Sequence, residues 1–177
     1  MGEMVSRLAQ KELEPAREVM RRLMWSLNEE SGAVGWGAPE ALAEIMAQNE
    51  ALCAEYLNIF VSYVHPGPNH LDFLPLLRGA VWGLGRIAQR WPQELRRRDA
   101  GAQLLPLLGR PDAALRGLAA WALGQMGDGR ALRELANLRG DPAETFLWAN
   151  WSLTARTVGE LAREARQRLM GQTAQQG

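Results

Sequence analysis

The chain is 177 residues long, 47% apolar and 23% charged, which suits one compact domain or a short repeat array and excludes bulk disorder. Formal net charge is zero, so no global field draws nucleic acid or a membrane surface; yet residues 1–60 hold 5 basic against 10 acidic side chains, and residues 61–177 hold 15 against 10. The single cysteine, Cys53, excludes an internal disulfide, and with no membrane-length apolar run and no signal segment a cytoplasmic location is expected.

In chain order, every element reads as helix. Glu14-Pro15 opens the first, with Val19, Leu23 and Leu27 on one stripe. After a loop at Ser31–Ala38, Pro39 opens a helix to about Gln48. A further apolar helix spans roughly Glu50–Val64, before the breaker Pro66-Gly67-Pro68. Leu74, Leu77, Val81 and Leu84 mark the next, with Asp72 as its expected cap. Asp99 is expected to cap that helix's partner, which Pro106 should kink or restart. Between Pro111 and Gly140 the pattern is clearest. Leu115, Leu118, Ala119, Ala122, Leu123 and Met126 form one stripe, Gly124 and Gly127-Asp128-Gly129 end it, and a shorter helix carries Leu132, Leu135 and Ala136. Asp141-Pro142-Ala143-Glu144 reads as a further helix start. Thr157-Val158-Gly159-Glu160 reads as a capping box before the stripe Leu161, Ala162, Ala165 and Leu169. The tail 171–177 is polar and expected to be flexible. No segment alternates convincingly as a strand, so the expected class is all α.

A short core recurs four times, as Met24-Trp25-Ser26-Leu27, Val81-Trp82-Gly83-Leu84-Gly85, Ala120-Trp121-Ala122-Leu123-Gly124 and Asn150-Trp151-Ser152-Leu153. Its tryptophans lie 57, 39 and 30 residues apart, and the first gap leaves room for an additional helix. Recurrence at one repeat position predicts that Trp25, Trp82, Trp121 and Trp151 pack in successive core layers. Trp148, three residues before Trp151, is expected on the same side of a helix. Helix pairs that cannot bury their stripes alone come in arrays. About four stacked pairs plus one additional helix are expected within a single domain, residues 1–170, with repeats near 14–64, 73–108, 111–140 and 141–170.

The run Arg116-Gly117-Leu118-Ala119-Ala120-Trp121-Ala122-Leu123-Gly124-Gln125-Met126-Gly127-Asp128, followed by Ala131-Leu132 and Leu135, resembles the HEAT-like repeat named for phycobilisome lyases. The likeness covers about residues 111–138 and is partial at 73–88 and 141–170. It implies an α-solenoid, the ARM/HEAT-type right-handed superhelix. Arg21-Arg22-Leu23-Met24-Trp25-Ser26-Leu27-Asn28, with Gly35-Trp36-Gly37-Ala38-Pro39-Glu40, is similar to small HEAT-like proteins of sulfate-reducing bacteria and implies no activity.

The least ordinary segment for binding is the loop after the first helix. There Asn28, Glu29, Glu30 and Glu40 surround small residues and Trp36, which either anchors a partner or caps the first repeat's core. The glycines there permit close backbone approach or positive φ. The carboxylates fit no established metal loop, and His65 and His70 flank a turn without the further ligands zinc needs. Arg96, Arg97 and Arg98, near Trp91, offer a basic run diluted by Glu94 and Asp99, and Trp148 offers an apolar contact. No catalytic triad, phosphate loop or dinucleotide fingerprint occurs. The expected function is a non-catalytic interaction or scaffold module, binding another protein or peptide through a concave face lined by second helices and through the 31–38 loop. No metal or cofactor and no membrane partner is expected. The alternatives are an accessory factor for a tetrapyrrole or other prosthetic group, implied by the lyase likeness, and nucleic-acid binding through the arginines.

Overall fold

The computed structural model describes residues 4, 5, 9, 12–27 and 35–173. In chain order these form α1 (Leu13–Leu27), α2 (Ala38–Gln48), α3 (Glu50–Ser62), α4 (Leu74–Ala88), α5 (Pro92–Arg97) and α6 (Ala100–Leu104). A 3-10 turn at Leu105–Gly109 leads to α7 (Ala113–Met126), then α8 (Leu132–Leu138), β1 (Glu144–Ala149), β2 (Ser152–Thr157) and α9 (Val158–Thr173). Two layers result. Helices α2, α4, α7 and α9 pack side by side in that order, α3 packs on α2, α5 and α6 lie against α7, and α8 lies against α9. A single continuous apolar core runs from Val5 to Leu169.

Helix boundaries follow local chemistry. Asp112 caps α7 by accepting from Leu115 N at 2.8 Å, and Gly127 (φ 74°) ends that helix with its own N–H on Leu123 O. Asn49 caps α3 in the same way at 3.0 Å. The capping box forms reciprocally, with Thr157 N on Glu160 Oε2 at 2.8 Å and Glu160 N on Thr157 Oγ1 at 3.1 Å. Pro106 breaks α6 into the 3-10 turn, as a residue lacking N–H must. Two expected caps are absent. Phe73, not Asp72, stands at the start of α4 without a side-chain bond, and Asp99 (φ 51°) gives its carboxylate to Arg130 instead. At the C-terminus, α9 continues to Thr173, so residues 171–173 are helical and not part of a loose tail.

The main departure from an all-α expectation is the hairpin β1–β2. Residues 141–157 were expected to start a helix bearing Trp148 and Trp151. The Asp141 carboxylate does accept from Ala143 N at 2.9 Å, but an antiparallel hairpin follows, in register from Glu144↔Thr157 to Ala149↔Ser152. Thr145 and Leu147 point inward and are buried, while Phe146 and Trp148 point out, the period of two that β structure imposes. Asn150 and Trp151 form a two-residue turn with φ of 51° and 61°.

The tryptophan recurrence therefore divides. Trp82 and Trp121 are 8% and 7% exposed and stack, with centroids 6.5 Å apart and planes at 14°. Trp25 and Trp151, expected in the same core layers, are 74% and 75% exposed. The true spacing device is the glycine that follows. A Cβ on Gly85 would lie 2.5 Å from Trp121 Cε3, and one on Gly124 would lie 2.7 Å from Ala165 Cα. Both glycines let the next helix of the layer approach, so α9 stacks on α7 as α7 stacks on α4. The fourth unit is thus a hairpin followed by a single helix, where a helix pair opening at Asp141 and again at Thr157 was expected.

Candidate functional site

The hairpin does more than fill a gap. It rises beside the layer formed by α2, α4, α7 and α9, the first-helix layer, and closes one side of a groove of about 1310 Å³. Helix α2 supplies Glu40 and Glu44, α4 supplies Arg78, Trp82 and Arg86, the start of α7 supplies Asp112, and the hairpin supplies Phe146, Trp148, Trp151 and Leu153. Two contacts hold the hairpin in place. Trp82 Nε1 donates to Trp148 O at 2.8 Å, and Thr145 seats its methyl where a Cβ on Gly117 would come within 2.8 Å. On the groove side, Phe146, Trp148, Trp151 and Leu153 stay exposed, an apolar wall beside a polar floor.

The floor is electrostatically incomplete. Arg86 forks onto Glu44, with Nε on Oε2 at 2.7 Å and Nη2 on Oε1 at 2.9 Å. Burial pushes the Glu44 carboxyl pKa up, but hydrogen bonds from Arg86 and Gln48 outweigh it and leave it lowered. Arg78 pairs in the same way with Asp112, whose carboxylate also caps α7. Among the described residues Glu40 has no such guanidinium. Its Oε2 is buried without a hydrogen-bond partner among the described residues, and burial raises its pKa above the ordinary carboxyl value. It lies over Gly79 of α4, where a Cβ would meet the carboxylate at 2.6–2.7 Å. Thr145 Oγ1 is likewise buried and unpartnered at the groove's far side.

Of the residues singled out in the sequence, the groove unites Glu40 and Trp148. Asn28, Glu29 and Glu30 lie outside the described residues. Trp36 is 68% exposed and meets Phe73 edge-on at 5.6 Å, so it does not cap the core. The nearby glycines serve the chain itself, since Gly37 takes φ 75° ahead of α2 and Gly35 packs on Ser26. The arginine run lies away from the groove and is engaged internally. Arg96 donates to Met126 O at 2.6 Å, Arg97 to Glu94, and Arg98 to Asn58 Oδ1 at 2.6 Å and to Glu94. Trp91 Nε1 is bonded to Met46 O at 3.0 Å. His65 Nδ1 is paired with Gln103 Oε1 at 2.7 Å. Cys53 is buried, and desolvation pushes its thiol up to about 11.

Sequence reasoning missed Arg78, Glu44 and Phe146 as groove residues. The available signal was the cluster of strand-favouring Thr145, Phe146 and Trp148 just before a turn-forming Asn150. This groove opens on the α2, α4 and α7 side, while the expected concave face is the one lined by the second helices.

Comparison with known families agrees with the geometry. Residues 75–154 match the model of HEAT repeats, spanning the Trp82 and Trp121 units and running into the hairpin. That match covers less than half of the chain, and the mostly helical, side-by-side packing of the described residues is consistent with HEAT repeats, with the β1–β2 hairpin as an addition. No relative among the curated proteins matches the chain. No helix among the described residues is long and apolar enough to cross a membrane.

Proposed function

We propose that the protein is a non-catalytic interaction module which holds a segment of a partner protein in the groove between its first-helix layer and the β1–β2 hairpin. HEAT repeat domains are generally protein-interaction scaffolds, which supports the class. The observation that carries the reading is the exposed apolar wall of Phe146, Trp148, Trp151 and Leu153 facing a groove far larger than one side chain. Aromatic anchors of this kind dominate binding energy where they become desolvated. The exposed Trp36–Phe73 pair supports a subsidiary contact through the 31–38 loop. A photo-reactive benzoylphenylalanine at Phe146 tests the idea in native extract, with the same label at Arg97 as control. The expected result is a discrete protein adduct from position 146 alone. Equal labelling from both positions, or none from 146, contradicts it.

A second reading is supported by the same aromatic wall and volume together with the likeness to lyase-type repeats, namely that the groove takes a planar prosthetic group such as a tetrapyrrole. Mixing the protein with haem or a bilin should then shift the pigment's absorbance. An unchanged difference spectrum removes that reading.

A further inference from the structure

We propose that the groove reads a basic side chain on an otherwise apolar partner segment, with the cationic head against Glu40 and the flanking residues on the hairpin tryptophans. The inference rests on the reading of the groove as a partner site and adds the chemistry of what enters it. Among the described residues, four carboxylates line the groove (Glu40, Glu44, Asp112 and Glu144) against two guanidiniums, Arg78 and Arg86. Each guanidinium is already committed, Arg86 to Glu44 and Arg78 to Asp112. The groove thus presents uncompensated negative charge to whatever fills it. Glu40 is where that deficit meets desolvation, because its Oε2 is buried and accepts nothing. An orphaned buried acceptor costs about 1–3 kcal/mol, which a donor arriving with the ligand would recover.

Two further observations point to a ligand that carries polar as well as apolar groups, the second of them to a cation. Thr145, a groove-lining residue only 4% exposed, has a second buried oxygen, Oγ1, without a partner among the described residues, and as a hydroxyl it can meet a donor or an acceptor. The surrounding wall carries indole and phenyl rings, whose faces attract an ammonium or guanidinium and whose area covers its methylene stem. A carboxylate ligand would meet repulsion from Glu40 and Glu144, and a purely apolar one would leave the Glu40 oxygen unsatisfied. A lysine or arginine among apolar neighbours satisfies both surfaces.

The probe is a positional-scanning library of hexapeptides, applied to wild-type protein and to Glu40→Gln, which keeps the side-chain size and is expected to fold. Wild type should enrich lysine or arginine at one position, with apolar residues beside it. Glu40→Gln should lose at least tenfold of that basic preference while still retaining apolar peptides. Unchanged basic preference in Glu40→Gln overturns the role of Glu40. Enrichment of apolar peptides without any basic preference overturns the inference but leaves the partner groove standing. If wild type retains no peptide at all, the groove reading fails together with it.

Discussion

Glu40 sets the functional account against the stability of the fold. Because folding raises its pKa, the protonated form is favoured in the native state. Its relative contribution is therefore most favourable below the unfolded carboxyl value, about 4.3, and is lost as pH rises through the raised native value. Replacement by a neutral isostere removes that loss. Glu40→Gln should be more stable than wild type at pH 7, by about 1 kcal/mol, and the difference should close below pH of about 4. Urea titrations at the two pH values check this. A variant less stable at pH 7 would mean that Glu40 has an attractive partner. The sequence marked Glu40 as a candidate but assigned it to the loop beside Trp36, because the neighbour that makes it unusual, Gly79, lies on a helix far along the chain.

Among the elements, the hairpin is the one that departs from the regular repeat. A tryptophan at φ 61° is unfavourable by about 1–2 kcal/mol relative to an ordinary backbone region. Glycine would accept that geometry, and at 75% exposure the indole contributes little packing. Trp151→Gly is expected to stabilise the protein by about 0.5–1 kcal/mol once the greater freedom of glycine in the unfolded chain is subtracted. The same change should weaken retention of groove-binding peptides several-fold. Thermal melts and peptide binding measured on one preparation test both halves. A destabilised Trp151→Gly would show that the ring has packing partners the fold depends on. Helices α2, α3, α4, α7 and α9 were legible from their apolar runs together with end signals such as Pro39, the breaker Pro66-Gly67-Pro68, Gly127 and the capping box at Thr157, although Asp72 does not cap α4. The hairpin was not. Trp148 and Trp151 sit three apart, and Trp151-Ser152-Leu153 mimics the repeat core, so helical spacing masked the β alternation. The missing sign was the glycine: Thr154 stands where Gly85 and Gly124 follow the genuine cores.

Across the whole molecule, those glycines are what make the stack regular. Alanine at position 85 would gain about 1 kcal/mol in helix propensity. Its methyl, however, would press on the rigid, buried Trp121 ring, and overpacking of that kind costs about 1–3 kcal/mol. With a ring that cannot rotate away, the clash should win. Gly85→Ala is expected to lower the denaturation midpoint, whereas Gly109→Ala, which meets nothing within 4 Å, should leave it nearly unchanged. Equal midpoints for both variants would show that the helices can slide without cost. The ion pairs act at the same scale by joining successive units: Arg86 to Glu44, Arg78 to Asp112 and Arg116 to Asp141. These arginines thus lock one unit to the next, and the asymmetry of charge along the chain is partly consumed inside it.

The claim on which these arguments converge is that a partner segment enters between the first-helix layer and the hairpin. Each of the seven tryptophans gives one indole N–H signal in a nitrogen-15 spectrum, so the binding face can be read directly. On titration with a peptide selected from the hexapeptide library, the signals of Trp82, Trp148 and Trp151 should shift, while those of Trp25 and Trp91 stay in place. Movement of Trp25 or Trp91 with the groove tryptophans unmoved would put the binding face elsewhere and contradict the account.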